Sequence, residues 1–307
     1  MLYENEFYNH LRVEGRGEGT VRQYRPMFGR LRKYMETHGI ENINALTETD
    51  AHSISRIIET EGLSTERVYR LLLNVKRYFA FLEQSGFIYL SPAAMFRLPK
   101  FVRHHHRAYD EKAISELLGT VRADTPLRLR ARAILELAYS SALRPREVRA
   151  LKLSDIDFAG GKLFIDQSKG KKDRIVPVGK TAIAWLRRYL EEVRGRFLKN
   201  NIHDVVFISL VTGKPLSSRG LDLAVREALM QSHQDPIPLY SLRATAATNL
   251  LDRGMNVVHI GRFLGHAGIG MTQVYLHTRR RELAHIISEA HPRNRINNEE
   301  EDSRNDT

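Results

Sequence analysis

The sequence predicts a mainly helical protein of two domains, the second of them α+β, and three observations carry that expectation. Helix-spaced apolar residues punctuated by glycines fill residues 1–90. A basic stretch without acids, RLPKFVRHHHR at 97–107, then separates this region from the rest, with prolines at 92 and 99 to break helices. Beyond it, two short β-prone segments at 162–166 and 174–178 flank the glycine turn QSKGKKD. The expected divisions are a helical bundle at 1–96, a linker at 97–108, a second domain at 109–291 and a polar tail at 292–307. The tail has the composition of a disordered segment.

A chain of 307 residues with 42% hydrophobic content can bury a substantial core in one or two domains. No apolar run approaches the length of a membrane span, and the start, MLYENEFYNH, does not read as a secretory leader. The absence of cysteine excludes disulfides, thiolate metal sites and cysteine nucleophiles, and a cytoplasmic location is the default expectation. A net charge of +12 points to a polyanionic partner. Charge alone separates neither DNA from RNA nor either from a merely basic protein.

Within 1–90, Thr20 and Gln23 are placed to form a capping box ahead of Val21, Tyr24, Phe28, Leu31 and Met35, which share one helical face. Gly39 ends that helix. A later helix over 64–84 turns Val68, Leu71, Leu72, Val75, Phe79 and Leu82 inward, and Gly86 stops it. The opposite faces carry Arg22, Arg25, Arg32, Lys33, Arg67, Arg70, Lys76 and Arg77. A solvated face is the plain reading of such charges, and phosphate contact is the reading preferred here. In the linker, Arg103 and Arg107 belong to a basic strap suited to a DNA backbone. Its three consecutive histidines have no spaced carboxylate or thiolate partner, so no metal site is expected.

The second domain opens with helices over 111–121 and 127–139. Pro145 suits a first helical turn, so Arg144 stands just ahead of a helix and Glu147 can reach back to it. The hairpin at 162–178 presents Lys169, Lys171 and Lys172 around Gly170. An amphipathic helix over 180–199, a short strand over 204–209 and a helix over 218–230 follow. The stretch 238–278, PLYSLRATAATNLLDRGMNVVHIGRFLGHAGIGMTQVYLHT, then concentrates the chemistry. Arg243 opens one helix that runs to Gly254, and Asn256 caps a second that Gly265 ends. His266 follows, and Tyr275 comes nine residues later. An arginine fork matches two phosphate oxygens, a histidine can donate to a third, and a tyrosine oxygen can attack phosphorus. Leu283, Ile286 and Ile287 fit a final helix.

This last stretch, with RATAAT, LGH and QVYLH in order, resembles the catalytic end of the tyrosine recombinases, the family of phage integrases and Xer recombinases. SALRPREVRALKLSDID resembles that family's first arginine box, with Ala142 where a glycine is usual. SKGKKDRIVPVG resembles its β2–β3 hairpin, and residues 1–96 resemble its N-terminal core-binding domain, a four-helix bundle that clamps DNA. The resemblance implies Arg144, Lys169, Arg243, His266 and the nucleophile Tyr275 as catalytic residues, Glu147 as acidic support, and Lys171 and Lys172 as backbone contacts. It implies strand exchange on double-stranded DNA through a 3′-phosphotyrosine, by four protomers on two sites, with accessory proteins possible and no metal, ATP or other cofactor. The family's H-x-x-R reads Y-S-L-R here, so Tyr240 takes the histidine's place. A phenol with a pKa near 10 is a poor base at neutral pH but still hydrogen-bonds. A non-catalytic DNA-binding regulator of the same fold, and a type IB topoisomerase that relaxes DNA without exchanging partners, are the alternatives.

Overall fold

The computed structural model describes residues 2–101, 108–166 and 173–266. The chain divides into two units, Met1–His105 and His106–Thr307.

The first unit is built from helices α1 (Glu4–Val13), α2 (Glu18–Arg22), α3 (Arg25–Thr37), α4 (Glu48–Thr60) and α5 (Thr65–Gln84). Its core centres on Phe7, whose ring meets Tyr24 at 4.9 Å and Tyr78 at 5.3 Å, both edge-on. The α5 residues expected inward are buried there. The expected capping box at Thr20 does not form. Thr20 lies inside α2, and the chain restarts as α3 after Tyr24, with Pro26 in the first turn. Proline lacks the N–H that a continuing helix would need, so it belongs at a helix start. The capping box that does form is Thr47 with Asp50, at the head of α4.

The second unit comprises α6 (Glu111–Thr120), α7 (Pro126–Ser140), α8 (Pro145–Ala150), strands β1 (Ile156–Asp157), β2 (Lys162–Ile165) and β3 (Arg174–Pro177), α9 (Lys180–Tyr189), α10 (Gly195–Phe197), α11 (Ser218–Gln231), α12 (Leu239–Asp252) and α13 (Val257–Leu264). Helix α7 is buried nearly all round, because α9, α11 and α12 all pack on it. The sheet is antiparallel in the order β1-β2-β3. Leu163 opposes Val176 on its buried face, and Phe164 opposes Ile175 on the exposed one.

Two expectations need correction. The helix from 180 does not run unbroken to 199: after Tyr189 it relaxes into a π turn, Leu190–Arg194, before α10. The segment 204–209 is not a ladder strand, and it makes only isolated bridges. Side chains stand in for the missing neighbour strand. Arg194 donates to the carbonyls of Val205 and His203, Tyr189 to that of Val206, and Arg130 to that of Ile208. Buried backbone groups must be paired by something, and here two arginines and a tyrosine complete what backbone bonds to Leu151, Leu153, Lys214 and Leu216 begin. Among the described residues, no helix is long and apolar enough to cross a membrane.

Candidate active site

The site is assembled at the C-terminal end of α13. Asn256 caps the start of that helix, its side chain accepting from the Val258 N–H at 2.8 Å. Gly265, with φ 64°, ends it in the left-handed conformation that glycine adopts freely. The His266 N–H bonds back to the Gly261 carbonyl at 3.0 Å, which fixes the histidine's backbone just past the turn.

A helix leaves its last carbonyls without intrahelical partners, and they carry the negative end of the helix dipole. In α13 three arginines from three other elements take them in sequence. Arg174 Nε donates to the Phe263 carbonyl at 3.2 Å, Arg243 Nη2 to Leu264 at 2.6 Å, and Arg144 Nη2 to Gly265 at 3.1 Å. The two arginines expected from their motifs, Arg243 and Arg144, lie 21 and 121 residues away in sequence from the carbonyls they bond, and so meet the histidine's turn directly.

Each arrives for a local reason. Arg144 is the N-cap of α8, in extended conformation ahead of Pro145. Glu147, at the third helical position, accepts from the Arg144 N–H and from its Nη1, both at 2.8 Å. Arg243 lies on α12 and is fully buried, with Nη1 on the Ala142 carbonyl at 2.6 Å. Ala142 has φ 46°. That left-handed geometry costs a residue with a Cβ roughly 1–2 kcal/mol, which gives a physical reason for a glycine in the arginine box. Alanine tolerates the position here at that cost.

Arg174 is the residue that motif reading missed. It leads β3, and both its Nη atoms bond the two oxygens of Glu147 at 3.0 Å, with the two side chains only 8% and 5% exposed. A signal for it exists in the sequence. Strand alternation puts Arg174 on the face of Val176 and Val178, and an inward arginine demands a partner. Burial alone would raise the Glu147 carboxyl. Hydrogen bonds from Arg174 and from the Arg144 backbone, with the charge of Arg174 and the Arg144 side chain, outweigh it and hold the group at about 2. Glu147 is thus an anion, and two of the three guanidiniums gathered at the helix end share it. Fixed donors of positive charge are suited to a phosphate whose negative charge grows during reaction.

Tyr240 stands in the first turn of α12, one turn before Arg243, and is 37% exposed. Lys169, Lys171, Lys172, Tyr275, Arg103 and Arg107 lie outside the described residues. In the first unit, Arg22, Arg25, Arg67 and Arg77 are exposed. Arg70 pairs with Glu66 at 2.6 Å, Arg32 with Glu4 at 2.6 Å, and Lys76 donates to the Phe96 carbonyl at 3.3 Å. The described residues hold no cluster of three or more His, Asp or Glu placed to bind a metal.

The fold is that of a site-specific recombinase. The structure of the XerH recombinase bound to palindromic difH substrate aligns with a TM-score of 0.69 at 18% identity, covering 89% of this chain and 80% of that one. The Tn1549 transposon integrase in complex with circular intermediate DNA gives 0.67 at 19%, covering 90% and 95%. At such identities the likeness is one of fold. Sequence relatives go further. Tyrosine recombinase XerC of Oceanobacillus iheyensis is 30% identical over 298 residues, 95% of this chain and 96% of its own. XerC of Alcanivorax borkumensis is 33% identical over 293 residues, 94% and 93%. Residues 107–282 match the phage integrase family, and residues 5–86 match the phage integrase N-terminal SAM-like domain. The chain belongs to the phage integrase family and is a tyrosine recombinase, an enzyme of site-specific DNA recombination.

Proposed function

We propose that Tyr275 attacks the scissile phosphate of a double-stranded recombination site. The phenolic oxygen forms a bond to phosphorus as the bond to the 5′ oxygen breaks, leaving a 3′-phosphotyrosine and a free 5′-hydroxyl. Arg144 and Arg243 hold the non-bridging oxygens, where charge accumulates, and such donors are typically worth about 3–4 kcal/mol each. Lys169 gives the departing 5′ oxygen its proton as a general acid. His266 hydrogen-bonds the phosphate, and the Tyr275 proton leaves under the field of the arginines or passes to His266. Tyr240 fills the place of the family's histidine as a hydrogen-bonding group. Glu147 supports Arg144. Because the phosphotyrosine conserves the energy of the bond it replaces, rejoining needs no nucleotide, metal or other cofactor.

The observation that carries this reading is the meeting of Arg144 and Arg243 at the Gly265 and Leu264 carbonyls, one and two residues before His266. Arg22, Arg25, Arg67, Arg70, Lys76, Arg77, Arg103, Arg107, Lys171 and Lys172 contact the DNA backbone in this proposal. Four protomers act on two sites, with accessory proteins where the site requires them, in the cytoplasm at the nucleoid. The test is denaturant-resistant trapping on nicked duplexes drawn from the DNA flanking the gene, with mass spectrometry of the adduct. The adduct is expected on Tyr275, abolished by Tyr275→Phe and retained by Tyr240→Phe. The reverse pattern would make Tyr240 the nucleophile. No adduct on any duplex, with tight salt-sensitive binding, would favour a non-catalytic regulator.

A further inference from the structure

We propose that Arg174 is a positioning residue for strand cleavage, a clamp that locks the first arginine to the histidine turn without itself touching DNA. The proposal rests on the reading of Arg144, Arg243 and His266 as the phosphate-holding groups.

Three features of the guanidinium carry it. Each of its nitrogens is already committed inward: Nη1 and Nη2 to the two oxygens of Glu147, and Nε to the Phe263 carbonyl. The side chain is 8% exposed, so its bonds to Glu147 are sheltered from water. Its two partners are those that set the catalytic geometry. Glu147 holds Arg144 by backbone and side chain, and Phe263 sits in the last turn before Gly265 and His266. Arg174 therefore ties β3 to α8 and α13 at one point.

Planar fork geometry is what the arrangement uses. A carboxylate gripped on both oxygens cannot rotate, so the Arg144 bond to Oε1 keeps its direction. A lysine would supply the charge but could not bond both oxygens and the carbonyl at fixed angles. Loss of the clamp thus leaves the single Arg144–Gly265 bond and the Arg243 bridge as the ties between the Glu147–Arg144 pair and the turn at 263–266, with less to fix their relative position. Displacements on the scale of an ångström are costly to a reaction that depends on aligned donors.

The position of Arg174 in the chain adds a second link. It stands five residues after Lys169, at the start of the strand that returns from the QSKGKKD segment. The Leu163–Val176 and Ile165–Arg174 register pins it on the buried face of the sheet.

The experiment uses the full chain and a nicked duplex on which the wild type forms the covalent adduct. Single-turnover cleavage, affinity for intact duplex and thermal melting are measured for Arg174→Lys and Arg174→Ala. Cleavage by Arg174→Ala is expected to fall about 100-fold while the Kd moves less than about threefold. Arg174→Lys should melt close to the wild type yet cleave about tenfold more slowly. Millimolar guanidinium chloride should restore part of the Arg174→Ala rate by refilling the vacated fork. Cleavage at the wild-type rate in both variants would overturn the proposal. So would a parallel loss of affinity and cleavage, which would make Arg174 a DNA contact. A deficit tracking only the fraction unfolded, unresponsive to guanidinium, would reduce it to a structural strut. A wild-type chain giving no adduct would instead overturn the active-site reading beneath it.

Discussion

Arg70 and Arg174 each pair with a glutamate at hydrogen-bonding distance, yet the two pairs do different work. Arg70 meets Glu66 one turn back on α5 at 2.6 Å, with the side chains 64% and 47% exposed. Arg174 meets Glu147 across the fold at 3.0 Å, with the side chains 8% and 5% exposed. Water screens the first pair, and a helical pair of that kind is worth about 0.3–0.5 kcal/mol. The second is cut off from water and shares its carboxylate with Arg144. The shorter distance belongs to the weaker interaction, because burial and geometry decide the energy. The exposed pair can break and re-form in water at little cost. The buried pair fixes a geometry and cannot be exchanged cheaply.

The largest effect should come from breaking the buried side. Glu147→Gln strands two guanidiniums in a poorly solvated place, and removing one partner of such a network costs about 3–5 kcal/mol. Chemical denaturation of the variant against the wild type checks this. The same comparison sharpens with pH. The Glu147 carboxyl is held at about 2 in the folded chain against an ordinary value of 4.5. A depressed folded value means that its contribution is fully present above about pH 4.5 and is lost as pH falls towards 2. The stability gap between wild type and Glu147→Gln should therefore be constant near neutrality and shrink through that acid window. A gap that did not change there would show that the charge of Glu147 contributes nothing. At the small end, Arg70→Ala should shift stability by less than about 0.5 kcal/mol. A loss above 1 kcal/mol would erase the distinction between the two pairs.

Much of this was legible before any coordinates. Arg144 with Glu147, Arg243 and the glycine–histidine turn sit in short motifs whose residues act locally: a cap, a helix start, a left-handed stop. The α5 face and the outline of the hairpin were legible for the same reason, since periodicity is a local signal. What escaped depends on contacts across the fold. Arg174 looks like one more cation after a lysine-rich turn until β-sheet register turns it inward against Glu147. The segment 204–209 has the residues of a strand, but its backbone is met by scattered loop backbone groups and by the side chains of Tyr189, Arg194 and Arg130. The break between α2 and α3 was legible in principle at Pro26, and the Thr20–Gln23 pattern obscured it.

In the proposed mechanism the arginines gathered at the end of α13 meet the charge of the scissile phosphate. Single-turnover cleavage tests it most directly, by comparing wild type with Arg144→Ala on two duplexes. One carries the normal scissile phosphate, and the other has a neutral methylphosphonate, in which a methyl group replaces a non-bridging oxygen. On the normal phosphate the variant should lose about 10²–10³-fold. On the methylphosphonate the penalty should shrink at least about tenfold, because the charge that Arg144 meets has been removed. An equal penalty on both duplexes would contradict the account and assign Arg144 to the architecture of the site alone.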